Sequence, residues 1–148
     1  MKHFDPEAFT AQSEQSFSQM YPALAALGRH RPQLLKDYER MLREARRFRR
    51  EYIEPHALDV ERAVMHDPEY VAEGAIRAAS EYGFFSTMIP RAFGGGGLSF
   101  GAMIIAMEEL GAGCLGLSNL LGVHGLAIAT VSATGDLGAM EKVCRLLT

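Results

Sequence analysis

QLLKDYERMLREARRFRREYIEPHALDVERA, residues 33–63, is the stretch whose reading decides the fold. Its apolar residues Leu34, Tyr38, Met41, Leu42, Ala45, Phe48 and Tyr52 recur mostly in steps of three and four, so they share one helical face and draw one buried stripe. Pro32 stands at the entry, where a missing N–H costs nothing. Pro55 lies inside the pattern and predicts a kink or a break, because proline lacks the amide proton and crowds the preceding carbonyl.

The helical period continues downstream. Asp67 is a good N-cap, Pro68 suits the first helical position and Glu69 complements the dipole; the helix they open should run to about Tyr82 and stop at Gly83. FFSTMIP, residues 84–90, is apolar but short. Ser99 can cap a helix from Phe100 to about Gly111, and a further helix follows from Leu117 to about Ala133. Gly135 stops that helix, and Asp136 caps a last one from about Leu137 to the chain end. Residues 1–32 read as two short helices broken by Pro6, Pro22 and Gly28. No segment alternates as a strand does. The expected architecture is an all-α, up-and-down helical bundle of about five to six helices.

The totals narrow the function. A chain of 148 residues supports one domain with a real core. A net charge of −3 gives no electrostatic reason to expect nucleic acid or an anionic membrane. Cys114 and Cys144 are too few for a disulfide scaffold and lack metal-ligand spacing, so they read as reduced thiols of a cytoplasmic protein with no metal. The start, MKHFDPEAF, lacks the apolar run of a secretory signal. The apolar stretch 115–134 is interrupted by Asn119, His124 and glycines, which argues against an integral membrane span.

Several constellations could carry chemistry. Gly94, Gly95, Gly96 and Gly97 are consecutive, fit no G-x-G-x-x-G frame and lack the Lys-Ser/Thr ending of a P-loop, so they read as a tight connection rather than a phosphate cradle. The arginines Arg43, Arg46, Arg47, Arg49 and Arg50 are interleaved with Glu39, Glu44 and Glu51 at pairing distances; they suggest a solvated face or subunit contact before an anionic partner. Glu108 and Glu109 point about 100° apart on a helix, so they are no acid/base pair, although one can face inward. His124 shares the face of Leu117, Leu121, Ile128 and Val131 and reads as a hydrogen-bonded core histidine rather than a ligand. Ser118, Gly122, Gly125, Ala129 and Ser132 are spaced four, three, four, three, a continuous seam of small side chains. An interior glycine costs a helix about 1 kcal/mol relative to alanine, so two on one seam indicate that something comes close to the backbone. Close helix packing would do this; so would a slender apolar ligand such as an acyl chain, with Asn119 beside it.

These residues in this order resemble a known family. Ile89-Pro90, Phe93-Gly94-Gly95, Gly97-Leu98-Ser99 and Glu108-Glu109-Leu110, then the Gly-rich helix and its Gly135-Asp136 stop, are similar to the N-terminal helical domain of acyl-CoA dehydrogenases. EYIEPHALDVERA upstream resembles that domain's first long helix, and the likeness covers about residues 34–148. Residues 1–33 lie outside it, as an N-terminal extension like that of larger members. The resemblance implies a flavoprotein with FAD that oxidises a fatty acyl-CoA across its α and β carbons and passes electrons to an electron-transfer flavoprotein. It also implies a homo-oligomer.

The chain stops where the family enters its β-domain, so the β-domain and the C-terminal bundle with the catalytic base are expected to lie outside it. No catalytic residue is therefore assigned here, and the chain alone is expected to be inactive. What the resemblance carries over is an acyl-pocket wall: Ser118, Asn119, Gly122 and Leu126 would line the chain-binding end. Some medium-chain relatives have a larger residue in place of Gly122, which implies room here for a longer or bulkier acyl group. The rival expectation is a non-catalytic helical interaction module derived from that family.

Overall fold

The computed structural model describes residues 15–147. Its helices are α1 (Phe17–Met20), α2 (Pro22–Leu27), α3 (Pro32–Phe48), α4 (Glu54–His66), α5 (Glu73–Glu81), α6 (Phe100–Gly111), α7 (Leu115–Thr134) and α8 (Leu137–Leu147). A π-helical turn, Arg49–Ile53, joins α3 to α4, and two short 3₁₀ turns lie between α5 and α6. No strand occurs among the described residues. The fold is the all-α bundle that the periodicity predicts.

The described residues divide into two compact units, 15–39 and 40–147. In the first, Pro22 opens α2 at its N-terminal position and Gly28 closes it. Phe17 meets the rings of Tyr21 and Tyr38 at centroid distances of 5.1 and 6.3 Å. Pro6 lies outside the described residues.

The second unit holds the core. Met41, Leu42, Ala45 and Phe48 of the predicted stripe are all buried. Pro55 sits in the first turn of α4, and the irregularity falls just before it: the Glu54 amide bonds back to the Arg49 carbonyl, widening the turn so that the proline ring is accommodated. Asp67 does not cap a helix. Its carboxylate accepts the Glu69 amide at 3.0 Å and its carbonyl accepts the Tyr70 amide, an Asx turn, and α5 begins only at Glu73. Asp136 does cap α8, accepting the Ala139 amide at 3.0 Å. Gly83 and Gly135 end their helices in the left-handed conformation, at φ 75° and 70°.

The glycine run is anchored rather than loose. Its Gly95, Gly96 and Gly97 amides donate to the carbonyls of Pro90, Ser86 and Ile89, and Leu98 donates to Thr87. A Cβ on Gly95 would run into the Ile89 backbone, so only glycine allows this approach. Ile89 in turn lies at the heart of a cluster with Ile128, Met140 and Cys144, which ties the loop to α7 and α8.

Candidate functional site

α6 and α7 are joined by three residues and pack on one another as an antiparallel pair. The small-residue seam of α7 faces α6. Ser118 is 1% exposed, and its hydroxyl donates to the Met107 carbonyl at 2.8 Å across the two helices. A Cβ on Gly122 would fall on the Sδ and Cε of Met107, and one on Gly125 on those of Met103, with Met88 Sδ alongside. Two methionine thioethers therefore fill the two gaps that the glycines make. A cavity of about 30 Å³ remains beside Gly122, lined by Met41, Phe84, Met103 and Met107 among others. The room for a longer acyl group expected from Gly122 is taken by Met107.

The four predicted pocket residues separate into two sets. Ser118 and Gly122 are buried against α6, whereas Asn119 and Leu126 are exposed, Leu126 at 57%. By helical spacing, Leu115, Asn119 and Leu126 follow the solvent edge of the seam, and Phe100 and Ile104 do the same on α6. Met103 and Met107 are half-buried between these two edges. Their part was legible only as two methionines one turn apart; nothing in the spacing told that they would enter the glycine gaps.

The charged residues behave differently from the solvated face expected of them. Arg43, Arg47 and Arg50 are exposed, and Arg47 pairs with Glu44 at 2.7 Å. Arg49 is buried at 4% and Glu109 at 3%; Arg49 Nε stands 3.2 Å from Glu109 Oε1 as a charge contact rather than an aligned hydrogen bond. Arg46 Nε donates to Glu109 Oε2 at 3.3 Å, and Arg49 Nη1 reaches Glu54 at 3.2 Å. A signal for this was present: Arg46 and Arg49 stand four and seven residues after Leu42, on the buried stripe. Glu109 is thus the inward member of its pair and is engaged structurally.

His124 is half-buried, not a hydrogen-bonded core residue: its ring stacks on Phe85 at 4.1 Å. It borders a cleft of about 490 Å³ with Glu73, Arg77 and Ser80. A more apolar pocket of about 380 Å³ lies between the end of α4, the Tyr70–Ala72 segment and the start of α7, lined by Val64, Met65, Val71, Leu117 and Leu120 among others. Sequence reasoning passed over it, because the helix expected from Asp67 would have occupied that segment. Cys114 and Cys144 are free and buried. Burial pushes the Cys144 thiol above its ordinary pKa. Among the described residues no three His, Cys, Asp or Glu side chains come together as a metal-ligand set.

Helix α7 is long and apolar enough, by length and composition, to cross a membrane; 33% of its apolar window is buried, and it packs on α6 and α8. The fit to a flavin dinucleotide is poor among the described residues. The glycine-loop amides from Gly95 to Gly97 are consumed by backbone carbonyls, which leaves no cradle for a pyrophosphate. The cleft beside His124 adds one arginine, Arg77, offset by Glu73.

Residues 36–143 match the family described as acyl-CoA dehydrogenase, N-terminal domain. The chain belongs to that family. It is also 35% identical over 85 residues to a (2S)-methylsuccinyl-CoA dehydrogenase of Cereibacter sphaeroides, an alignment covering 57% of this chain and 15% of that protein. The match thus spans a small part of the relative's length. No solved structure matches the chain.

Proposed function

We propose that this chain is the N-terminal helical domain of a flavin-dependent acyl-CoA dehydrogenase, and that the α6–α7 face forms one wall of its acyl pocket. The observation that supports this most is a largely apolar α6–α7 face in a domain of this family: half-buried Met103 and Met107, exposed Leu126 and Asn119 along one edge, and exposed Phe100 and Ile104 along the other, with Glu108 one turn beyond. Such a surface suits an acyl chain, with Asn119 as a polar group at its edge. Ser118 and Gly122 act from beneath, by fixing α6 against α7 and admitting Met107. The substrate is an acyl-CoA thioester, a class that fits the methylsuccinyl-CoA in the relative's name. FAD would serve as the hydride acceptor of such a reaction. The reading places the groups that hold it, and the base that removes the α proton, outside the described residues. Electron-transfer flavoprotein as acceptor, a homo-oligomeric assembly and a cytoplasmic location complete the proposal, and the domain alone is inactive.

Leu126→Arg tests it. In the flavin-loaded protein that carries this domain, the substitution should raise the KM for acyl-CoA about tenfold or more, since it replaces a buried-on-binding leucine by a charge. Fold stability should stay within about 0.5 kcal/mol, because the site is exposed. An unchanged KM would remove the α6–α7 face from the pocket. A second reading, a non-catalytic interaction module, draws on the same exposed apolar side chains. It requires a partner-bound or self-associated state, and a chain that stays monomeric at high concentration would argue against it.

A further inference from the structure

The apolar pocket between the end of α4, the Tyr70–Ala72 segment and the start of α7 has a volume of about 380 Å³, within the range of about 300–1,000 Å³ in which small-molecule sites fall. Val60, Val64, Val71, Leu117 and Leu120 give it an apolar lining. The Asx turn at Asp67 builds its outer wall: the Tyr70 amide donates to the Asp67 carbonyl at 3.0 Å, and Tyr70 and Val71 line the pocket instead of entering a helix. Glu61 is the charged side chain of the lining, and among the described residues it has no ion-pair partner. Arg62, its neighbour on α4, is held by Asp59 at 3.3 Å. No lysine or arginine lines the pocket. From residue 59 to 73 the sequence carries Asp59, Glu61, Asp67, Glu69 and Glu73 against a single arginine, Arg62, so an anionic ligand, a coenzyme A thioester included, meets repulsion here. The first turn of α7 pulls the other way, since Gly116 and Leu117 reach the pocket and no side chain caps that helix. A helix N-terminus amounts to about half a positive charge, less than the full charge on Glu61.

We propose that this pocket binds a compact organic cation, an ammonium group on a short apolar body. The body lies against Val64, Val71, Leu117 and Leu120, and the Glu61 carboxylate holds the ammonium, with the Tyr70 ring as a second, cation–π contact. The inference does not depend on the acyl-wall reading, because none of these residues belongs to the α6–α7 face.

The test uses the full chain at low salt and three probes of one length, hexylammonium, hexanoate and hexanol. Each is titrated while the methyl NMR signals of Val64, Val71, Leu117 and Leu120 are followed. Hexylammonium should give saturable shifts there and bind at least about tenfold more tightly than hexanoate. Added salt should shrink that advantage and leave hexanol binding unmoved. Glu61→Gln should bring hexylammonium down to the affinity of hexanol, and Glu61→Arg should reverse the order of the two ions. Glu61 is exposed, so circular dichroism should show both variants as helical as the wild type. Hexanoate binding as tightly as hexylammonium, or more tightly, would overturn the proposal in favour of the α7 amides. Hexanol matching hexylammonium in the wild type would overturn it too, by making the pocket merely apolar, as would hexylammonium affinity that Glu61→Gln leaves unchanged. So would the absence of a saturable shift with any probe. Methyl signals that move with chain concentration before a probe is added would give the face to a second copy of the chain, and the proposal would fall.

Discussion

The guanidinium groups of Arg46 and Arg49 share the Glu109 carboxylate in surroundings nearly closed to water. Breaking a buried pair from one side strands the other charge, at a cost of about 3–5 kcal/mol. Glu109→Ala should lower the unfolding free energy by that amount in urea titrations, whereas Glu108→Ala, on the exposed side, should cost under about 1 kcal/mol. Gly95→Ala should be destabilising by at least about 1–3 kcal/mol, since the added methyl meets the Ile89 backbone, which cannot swing aside. A pH effect belongs to Tyr82. Its hydroxyl donates to the Glu51 carboxylate, and this bond, helped by burial, holds the phenol above its ordinary value of 10.0. The unfolded phenol then loses its proton at lower pH than the folded one. The contribution is complete below the unfolded value and fades as pH rises through the folded one. Urea midpoints taken from about pH 9 to about pH 11 should fall with a steeper slope in the wild type than in Tyr82→Phe.

Asp136 and Asp67 both precede helix-like stretches, yet only one caps a helix. Asp136→Ala should cost about 1 kcal/mol through loss of the Ala139 amide bond at the head of α8. Asp67→Ala should cost less than about 0.5 kcal/mol, because an exposed Asx turn is at stake. From sequence the two looked alike: an aspartate with a good first turn behind it. At 67–68 the carboxylate serves the next turn, and Tyr70 and Val71 go to the wall of the apolar pocket instead of into a helix. The long elements were legible because burial follows period: Met41, Leu42, Ala45 and Phe48 lie where the stripe puts them. The α6–α7 contact was half legible. The glycine seam announced a close approach, but whether a ligand or Met103 and Met107 makes it depends on rotamers that spacing does not encode. Arg49 was misread for a simpler reason: its charge outweighed its position on the stripe.

At the scale of the whole molecule, the second unit leaves Phe100, Ile104, Leu115 and Leu126 exposed beside the seam. A surface of that kind is covered in the working protein or drives association. The purified chain should therefore self-associate in sedimentation equilibrium, and Ile104→Arg with Leu126→Arg should shift it toward monomer without loss of helix. The proposed acyl wall would give the same face a purpose. The most direct measurement is a map of acyl-CoA contacts on the flavin-loaded protein that carries this domain, from amide and methyl NMR shifts with butyryl-CoA under anaerobic conditions. The account predicts shifts at Asn119, Leu126, Met103 and Met107, together with bleaching of the flavin. Shifts centred on Val64, Val71 and Leu120 would contradict it, because they would place the acyl group in the pocket between α4 and the start of α7.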